Sequence, residues 1–286
     1  MDRKRGGGNR GGAAANRSAQ KVGLCLCALL LSAVVLSGCW HNAPVYESRG
    51  PRVRYLRPQG PPPKPSRVIV QKVAYFDAPR TIEHQVSPGE SLSQISRTFG
   101  ISPATLRREN GLRRAQRLQT GQILVLRNVK TVRYVINLYR TRPWSYIIVH
   151  HTATDSGDPC TIQRAHLQRG FCHGIGYDFV IDNGTLGQGD GVIEMTPRWL
   201  RQEDGAHCKA DHMNQRGIGI CLVGNFDYEY PTPCQLKSLA YLIYILHHYY
   251  DIPPSHVMGH GQVPGARTDC PGKLFPMDFL RAAARR

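Results

Sequence analysis

The chain has 286 residues, with 37 Lys or Arg against 20 Asp or Glu and a formal net charge of +17. That length suffices for one or two domains with real cores, and the basic excess draws the protein toward polyanions. The N-terminal segment points to export, which makes nucleic acid a poor partner and anionic wall polymer or anionic lipid headgroups better ones; a solvated charged surface with no polyanion partner is the alternative.

Residues 1–21 are basic and rich in Gly and Ala, and Val22–Leu36 form an apolar run of about fifteen residues. Such a run is short for a membrane span and right for the hydrophobic region of an export signal. Leu36-Ser37-Gly38-Cys39 closes it. Small residues before a cysteine resemble the lipobox of bacterial lipoproteins, which implies cleavage before Cys39 and acyl chains on that cysteine; an ordinary secretory signal is the alternative. Several acyl chains give the anchoring that one chain cannot. Trp40, rather than Asp, follows the cysteine, which under that family's sorting rules implies the outer membrane, facing the periplasm, in a cell with two membranes. Loss of residues 1–38 removes six Lys or Arg and one Asp and leaves a net charge of +12.

Residues 39–80 contain GPRVRYLRPQGPPPKPSR and read as a Pro-rich tether. Polyproline II rises about 3.1 Å per residue, so some forty residues span on the order of 100 Å. Residues 81–128 then tighten into a βααβ unit. A strand at Glu83–Val86 leads through a turn at Pro88-Gly89 into a helix starting at Ser91. There Leu92, Ile95, Ser96 and Phe99 follow helical spacing with one buried face, and Gly100 stops the helix. A second helix, Pro103–Asn110, ends at Gly111, and Gln122–Leu126 close the unit. The strings HQVSPGESLSQISRTFGISPATLRREN and LQTGQILVL resemble a LysM module. The resemblance implies binding of N-acetylglucosamine-containing glycans in a shallow groove, with Gly89 and Asn110 at its two sides. Turn geometry explains glycine and proline there equally well.

Residues 140–286 open with an apolar strand ending at His150, followed by a helix near 161–169 and a strand at Tyr177–Asp182. A third strand, Gly217–Val223, precedes a helix over Thr232–Tyr250, with Thr232 as N-cap and Pro233 at the first helical position. Leu236, Leu239, Ala240, Ile243 and Leu246 make its buried stripe. Apolar strands interleaved with helices predict an α/β domain whose mixed central sheet is flanked by helices.

Two histidines and a cysteine in this region, His150, His260 and Cys270, match the count and chemistry of a catalytic zinc site, in which three protein ligands leave the fourth position to water. His151 competes with His150, but adjacent strand residues point to opposite faces. The segments YIIVHHTAT, IQRAHLQRGFCHGIGYDFVID, GAHC, GIGICLVGNF and GHGQVPGARTDCPG occur in order. They resemble the type 2 N-acetylmuramoyl-L-alanine amidases, a zinc family that includes phage lysozyme-type amidases and the peptidoglycan recognition proteins. The resemblance implies His150, His260 and Cys270 as Zn²⁺ ligands, Tyr177 as a catalytic phenol beside the metal, and His207 at the substrate cleft. His166 matches a helical histidine that packs. Two positions depart from related patterns: Cys221 stands where the recycling amidases carry a catalytic glutamate, and Thr268 where the phage enzymes have a lysine, as in many recognition-protein amidases. Thr268 is therefore expected in catalysis. The ten-residue gap between His260 and Cys270 resembles the recycling enzymes, and Asp269 is an alternative oxygen ligand.

Function follows from the resemblance as hydrolysis of the amide between N-acetylmuramic acid and L-alanine in peptidoglycan, with the glycan-binding module raising local substrate concentration. A non-catalytic recognition protein is the alternative, although such proteins usually lack the cysteine ligand; a structural anchor between envelope and wall is a third. Of nine cysteines, Cys25 and Cys27 leave with the signal, and Cys221 in the apolar run Ile218–Val223 is expected as a buried thiol. Cys160, Cys172, Cys208 and Cys234 lie near loops or element ends. An oxidising compartment permits disulfides among them, in any of three connectivities.

Overall fold

The computed structural model describes residues 62–285. The export signal, Cys39 and the first part of the expected tether lie outside the described residues. Among the described residues no helix is long and apolar enough to cross a membrane.

A long antiparallel ribbon opens the fold. Strand β1 (Arg67–Gln85) pairs with β2 (Ile123–Leu138), with Arg67 opposite Leu138 and Gln85 opposite Ile123. Residues 67–80 therefore correct the tether expectation. Val68, Ile69, Val70 and Val73 are β-branched and suit a pleated surface, and Ile69 lies opposite Ile136 and Val70 opposite Val135. Between the strands, helices α1 (Leu92–Phe99) and α2 (Pro103–Glu109) complete the expected βααβ order. Ser91 and Gln94 form a capping box at the start of α1, and Gly100 ends it with φ 66°, a left-handed conformation that glycine adopts without penalty. Leu92, Ile95, Phe99, Leu106, Leu124 and Leu126 form the core of this module.

Strand β2 belongs to two cores. Val129 and Val132 pack in the first module, whereas Ile136 and Leu138, farther along the same strand, sit in the larger core that follows. The two domains thus share a continuous strand. They also touch: the Ser87 hydroxyl donates to Glu194 Oε2 at 2.7 Å, and the Cys160 thiol to the Val86 carbonyl at 3.5 Å.

The larger domain contains β3 (Tyr146–His151), α3 (Pro159–Gln168), β4 (Phe179–Ile181), β5 (Ile193–Met195), α4 (Pro197–Arg201), α5 (Met213–Arg216), β6 (Gly217–Leu222), α6 (Pro233–Tyr250), β7 (Val257–Gly259) and α7 (Met277–Ala283). Its sheet has the order β5-β4-β6-β3-β7, parallel throughout except for the antiparallel β4–β5 pair. This is the expected mixed sheet flanked by helices. Helix α6 begins at the expected cap: Thr232 accepts from the Gln235 amide at 3.0 Å, and Pro233 follows it. Gln235 is buried, and its Nε2 donates to the carbonyls of Ile181 (3.2 Å) and Val223 (2.7 Å), satisfying backbone acceptors at the ends of β4 and β6.

On one face of the sheet Leu239, Leu242, Ile243 and Leu246 of α6 pack with Ile147, Val149, Ile220 and Leu222. Each such side chain, fully buried, stabilises the fold by about 1.5–3 kcal/mol. Leu236 and Ala240 are only half-buried, so the stripe lies slightly round the helix from its predicted position. Ile148 of β3 points to the other face, where it meets Cys208, Met213 and Val263. Strand alternation therefore sends His150 to this second face and His151 to the helical one.

None of the permitted disulfides is present among the described residues. Cys160, Cys172, Cys208 and Cys234 are free thiols. Cys160 lies in α3, Cys234 in α6 and the other two in loops, with Cys160 turned to Val86 and Cys208 to the Ala210 carbonyl at 3.8 Å.

Candidate metal centre

The candidate ligands meet at the carboxyl ends of the parallel strands, where open α/β sheets place their sites. His150 is near the end of β3, His260 directly follows β7, and Cys270 lies on the loop that returns to them. Their ligand atoms all lie within 4.8 Å of one another. His150 Nδ1 stands 3.7 Å from Cys270 Sγ, and the two imidazole centroids are 4.7 Å apart.

Local sequence makes this loop possible. The Gly261 amide donates to the Cys270 carbonyl at 2.7 Å, closing the ten-residue excursion. A Cβ on Gly261 would come within 2.5 Å of the Thr268 carbonyl oxygen, so glycine permits the approach. Thr268 is exposed, and its hydroxyl accepts from the Cys270 amide at 3.2 Å. The threonine expected in catalysis thus braces the ligand loop. Asp269 is exposed and lies outside the ligand cluster.

Burial sets the protonation states. His150 is held well below the ordinary histidine range, first by burial and then by the neighbouring His207 and His260. His260 is lowered by burial alone. Both are neutral imidazoles with lone pairs to offer, as metal ligation requires. Burial raises the Cys270 thiol to about 12, opposed by the His151 amide that hydrogen-bonds it; a metal ion binding the sulfur would displace that proton to solvent or a base. His151, on the helical face, accepts from the Phe226 amide at 3.1 Å through Nδ1.

This donor set fits zinc. Given the usual Zn–N and Zn–S bond lengths, a tetrahedral ion separates nitrogen from sulfur ligands by about 3.6 Å, close to the 3.7 Å between His150 and Cys270.

Tyr177 borders the same space, its ring 5.2 Å from that of His150. Burial, first, and the Cys221 and Cys270 sulfurs hold its phenol well above 10, so it stays protonated. The fully buried Cys221 lies near it, its thiol 3.7 Å from the Leu222 carbonyl. The apolar run around Cys221 predicts its burial, and its register opposite His150 in the parallel β3–β6 pair places both on one face. His166 is also buried, and its Nδ1 accepts from the Gly176 amide at 3.0 Å. It holds the segment carrying Tyr177, in line with the packing role expected of it.

His207 differs from expectation. It is buried behind His150, with Nδ1 3.0 Å from His150 Nε2 and Nε2 3.2 Å from the Gly217 carbonyl. The groove residues of the first module also have structural partners. Asn110 donates to the carbonyls of Leu106 and Val125, each at 3.0 Å, and accepts from the Val125 amide at 2.7 Å, which occupies its amide within the module. Gly89 has φ 75°, and a Cβ there would lie 2.8 Å from Pro197 Cγ, so it packs against the larger domain. Beside Tyr177 a cavity of about 220 Å³ opens, lined by Thr152, Thr154, Thr161, His166 and Arg169.

The profile of the N-acetylmuramoyl-L-alanine amidases matches residues 140–273, and that of the LysM domain residues 84–127. A peptidoglycan-recognition protein of Drosophila melanogaster is 33% identical over 143 residues, 46% of this chain and 69% of that protein. The chain belongs to the N-acetylmuramoyl-L-alanine amidase family. An N-acetylmuramoyl-L-alanine amidase of Sus scrofa is 32% identical over 155 residues, 47% of this chain and 23% of that protein. The solved amidase LysC from Clostridium intestinale is 33% identical, covering 50% of this chain and 87% of that one at a TM-score of 0.43. The chain thus spans about a quarter of the length of the pig relative. The chain therefore carries an amidase-family domain and a LysM domain.

Proposed function

We propose that the protein is a zinc-dependent N-acetylmuramoyl-L-alanine amidase that cleaves the amide between N-acetylmuramic acid and L-alanine while its LysM domain holds it on glycan. The observation that carries this reading is the convergence of His150, His260 and Cys270 within 4.8 Å, with the thiol that non-catalytic relatives usually lack. Zinc held by these residues supplies a Lewis acid for the scissile carbonyl and activates water at neutral pH.

The chain's own groups do the rest. Tyr177, kept protonated by burial, donates its hydroxyl hydrogen to the carbonyl oxygen as negative charge develops there, an interaction that strengthens toward the transition state. His166 fixes the backbone before Tyr177. The cavity beside Tyr177 offers threonine hydroxyls and the cationic Arg169, suited to a peptide bearing carboxylates. Export and acylation at Cys39 complete the reading on the sequence pattern alone: they would tether the enzyme to a membrane and leave wall polymer as its partner.

The test is metal content and muropeptide release by the full chain on purified sacculi, repeated after chelation and zinc restoration. Stoichiometric zinc and free stem peptides that vanish on chelation support the amidase. Sacculus binding without release, at full zinc occupancy, would move the assignment to a non-catalytic recognition protein.

A further inference from the structure

We infer that His207 is the positioning residue of the metal centre, fixing the tautomer and ring orientation of His150 so that its Nδ1 lone pair faces His260 and Cys270. The inference rests on the zinc reading above, and it concerns a residue whose sequence pattern had pointed to the substrate cleft.

The direction of the hydrogen bonds follows from one fixed end. A backbone carbonyl only accepts, so His207 Nε2, 3.2 Å from the Gly217 oxygen, carries a hydrogen. The other nitrogen of that neutral ring is then an acceptor. It faces His150 Nε2 at 3.0 Å, so His150 donates from Nε2. Its Nδ1 is left bare, 3.7 Å from Cys270 Sγ. No carboxylate is hydrogen-bonded to either ring among the described residues, so neither imidazole has an anion to hold it as a cation. The carbonyl end of the relay thus decides which nitrogen of His150 is free for a metal.

The surroundings are built for this ring. A Cβ on Gly219 would lie 2.6 Å from His207 Cδ2, and one on Gly205 would lie 2.5 Å from the same atom. Both glycines leave a slot that any side chain would fill, and glycine inside a strand often marks such a close approach. Asn214 Oδ1 accepts from the amides of His207 and Cys208, each at 2.8 Å, while the Asn214 carbonyl accepts from the Gly205 amide at 2.6 Å. Ring and backbone of His207 are therefore held independently. Metal-bound histidines ordinarily give their second N–H to a carboxylate, carbonyl or water, and loss of that partner weakens metal affinity 10–100-fold. Here a neutral imidazole takes that place.

Two substitutions separate the hydrogen-bonding role from bulk. His207→Gln keeps an acceptor for His150 and a donor for Gly217, whereas His207→Leu keeps neither. In the metal-stripped full chain, ¹⁵N NMR should find His150 protonated on Nε2 in the wild type and in His207→Gln, and a tautomer mixture in His207→Leu. Zinc affinity, read by competition with a chromophoric chelator, should stay within a few-fold for His207→Gln and fall about 10–100-fold for His207→Leu. Gly219→Ala, which pushes the ring out while keeping it present, should reproduce the loss and guards against a misfolded leucine variant. A wild-type His150 protonated on Nδ1, or a His207→Leu protein that binds zinc as the wild type does, overturns the inference and leaves the amidase reading standing. A wild type that binds no zinc overturns both.

Discussion

Among the described residues, burial treats two clusters of titratable groups in opposite ways. At the strand ends it depresses the imidazoles of His150, His166 and His207. At the junction with the LysM domain it raises the carboxyls of Asp182 and Glu194, the former also through the neighbouring Glu194 charge. The imidazoles become neutral and the carboxyl pair keeps a proton, yet only the first cluster is shaped as a candidate site. A neutral imidazole has one donor and one acceptor, so a chain of them can end in a lone pair directed at open space. A neutral carboxyl beside a carboxylate uses its proton on its neighbour. The remaining oxygens at the junction are taken by the Gln188 amide on Asp182 (2.9 Å) and by the Ser87 hydroxyl on Glu194 (2.7 Å). The first cluster presents ligands; the second joins two domains.

Removing the thiol breaks the comparison most severely. Cys270→Ser should abolish peptide release from sacculi, a loss of at least about 10³-fold, and lower zinc stoichiometry without unfolding the domain. Tyr177→Phe should keep zinc and lower turnover by about 10²–10³-fold, the usual cost of one oxyanion donor; unchanged turnover would remove the phenol from the chemistry.

The two clusters should also give opposite pH limbs, measurable by urea denaturation. His166 has its folded value lowered to about 4 from 6.5. Between those values the unfolded chain binds a proton that the folded chain refuses, so stability falls as pH falls, by up to about 1.4 kcal/mol per pH unit. Asp182 is raised by burial and by Glu194. Above the ordinary aspartate range the folded state keeps a proton that the unfolded state has lost, so stability falls as pH rises. Asp182→Asn should flatten that alkaline limb and leave the acid limb unchanged; a limb equally steep in the variant would show the pair does not share a proton. The smallest effect is expected at Gly89→Ala, where a positive φ and the contact with Pro197 should cost about 1–2 kcal/mol and loosen the LysM junction, read by hydrogen exchange at Ser87 and Glu194.

Local devices are the most legible part of the sequence. Ser91, Thr232 and Pro233 start their helices through neighbours in the chain, and each stands where the sequence pattern puts it. Alternation along β3 separates His150 from His151 for the same reason. The extension of β1 back to Arg67 is masked in the sequence because prolines just before it dominate the composition, although Val68, Ile69, Val70 and Val73 carry a strand signal. Strands β5 and β7 span three residues each, too short to show a period. The partners of His207 and Asn110 lie across the fold, where spacing says nothing of which atom faces which. For His207 the glycine at 219 is the available clue: in an otherwise apolar strand it marks where another group comes close.

The central claim is that His150, His260 and Cys270 form one zinc site, and X-ray absorption at the zinc edge of the metal-loaded full chain addresses it directly. The account predicts one sulfur at about 2.3 Å and two imidazole nitrogens at about 2.0 Å, with light-atom scattering in the fourth position. A shell without sulfur, or one with two sulfurs, would contradict it.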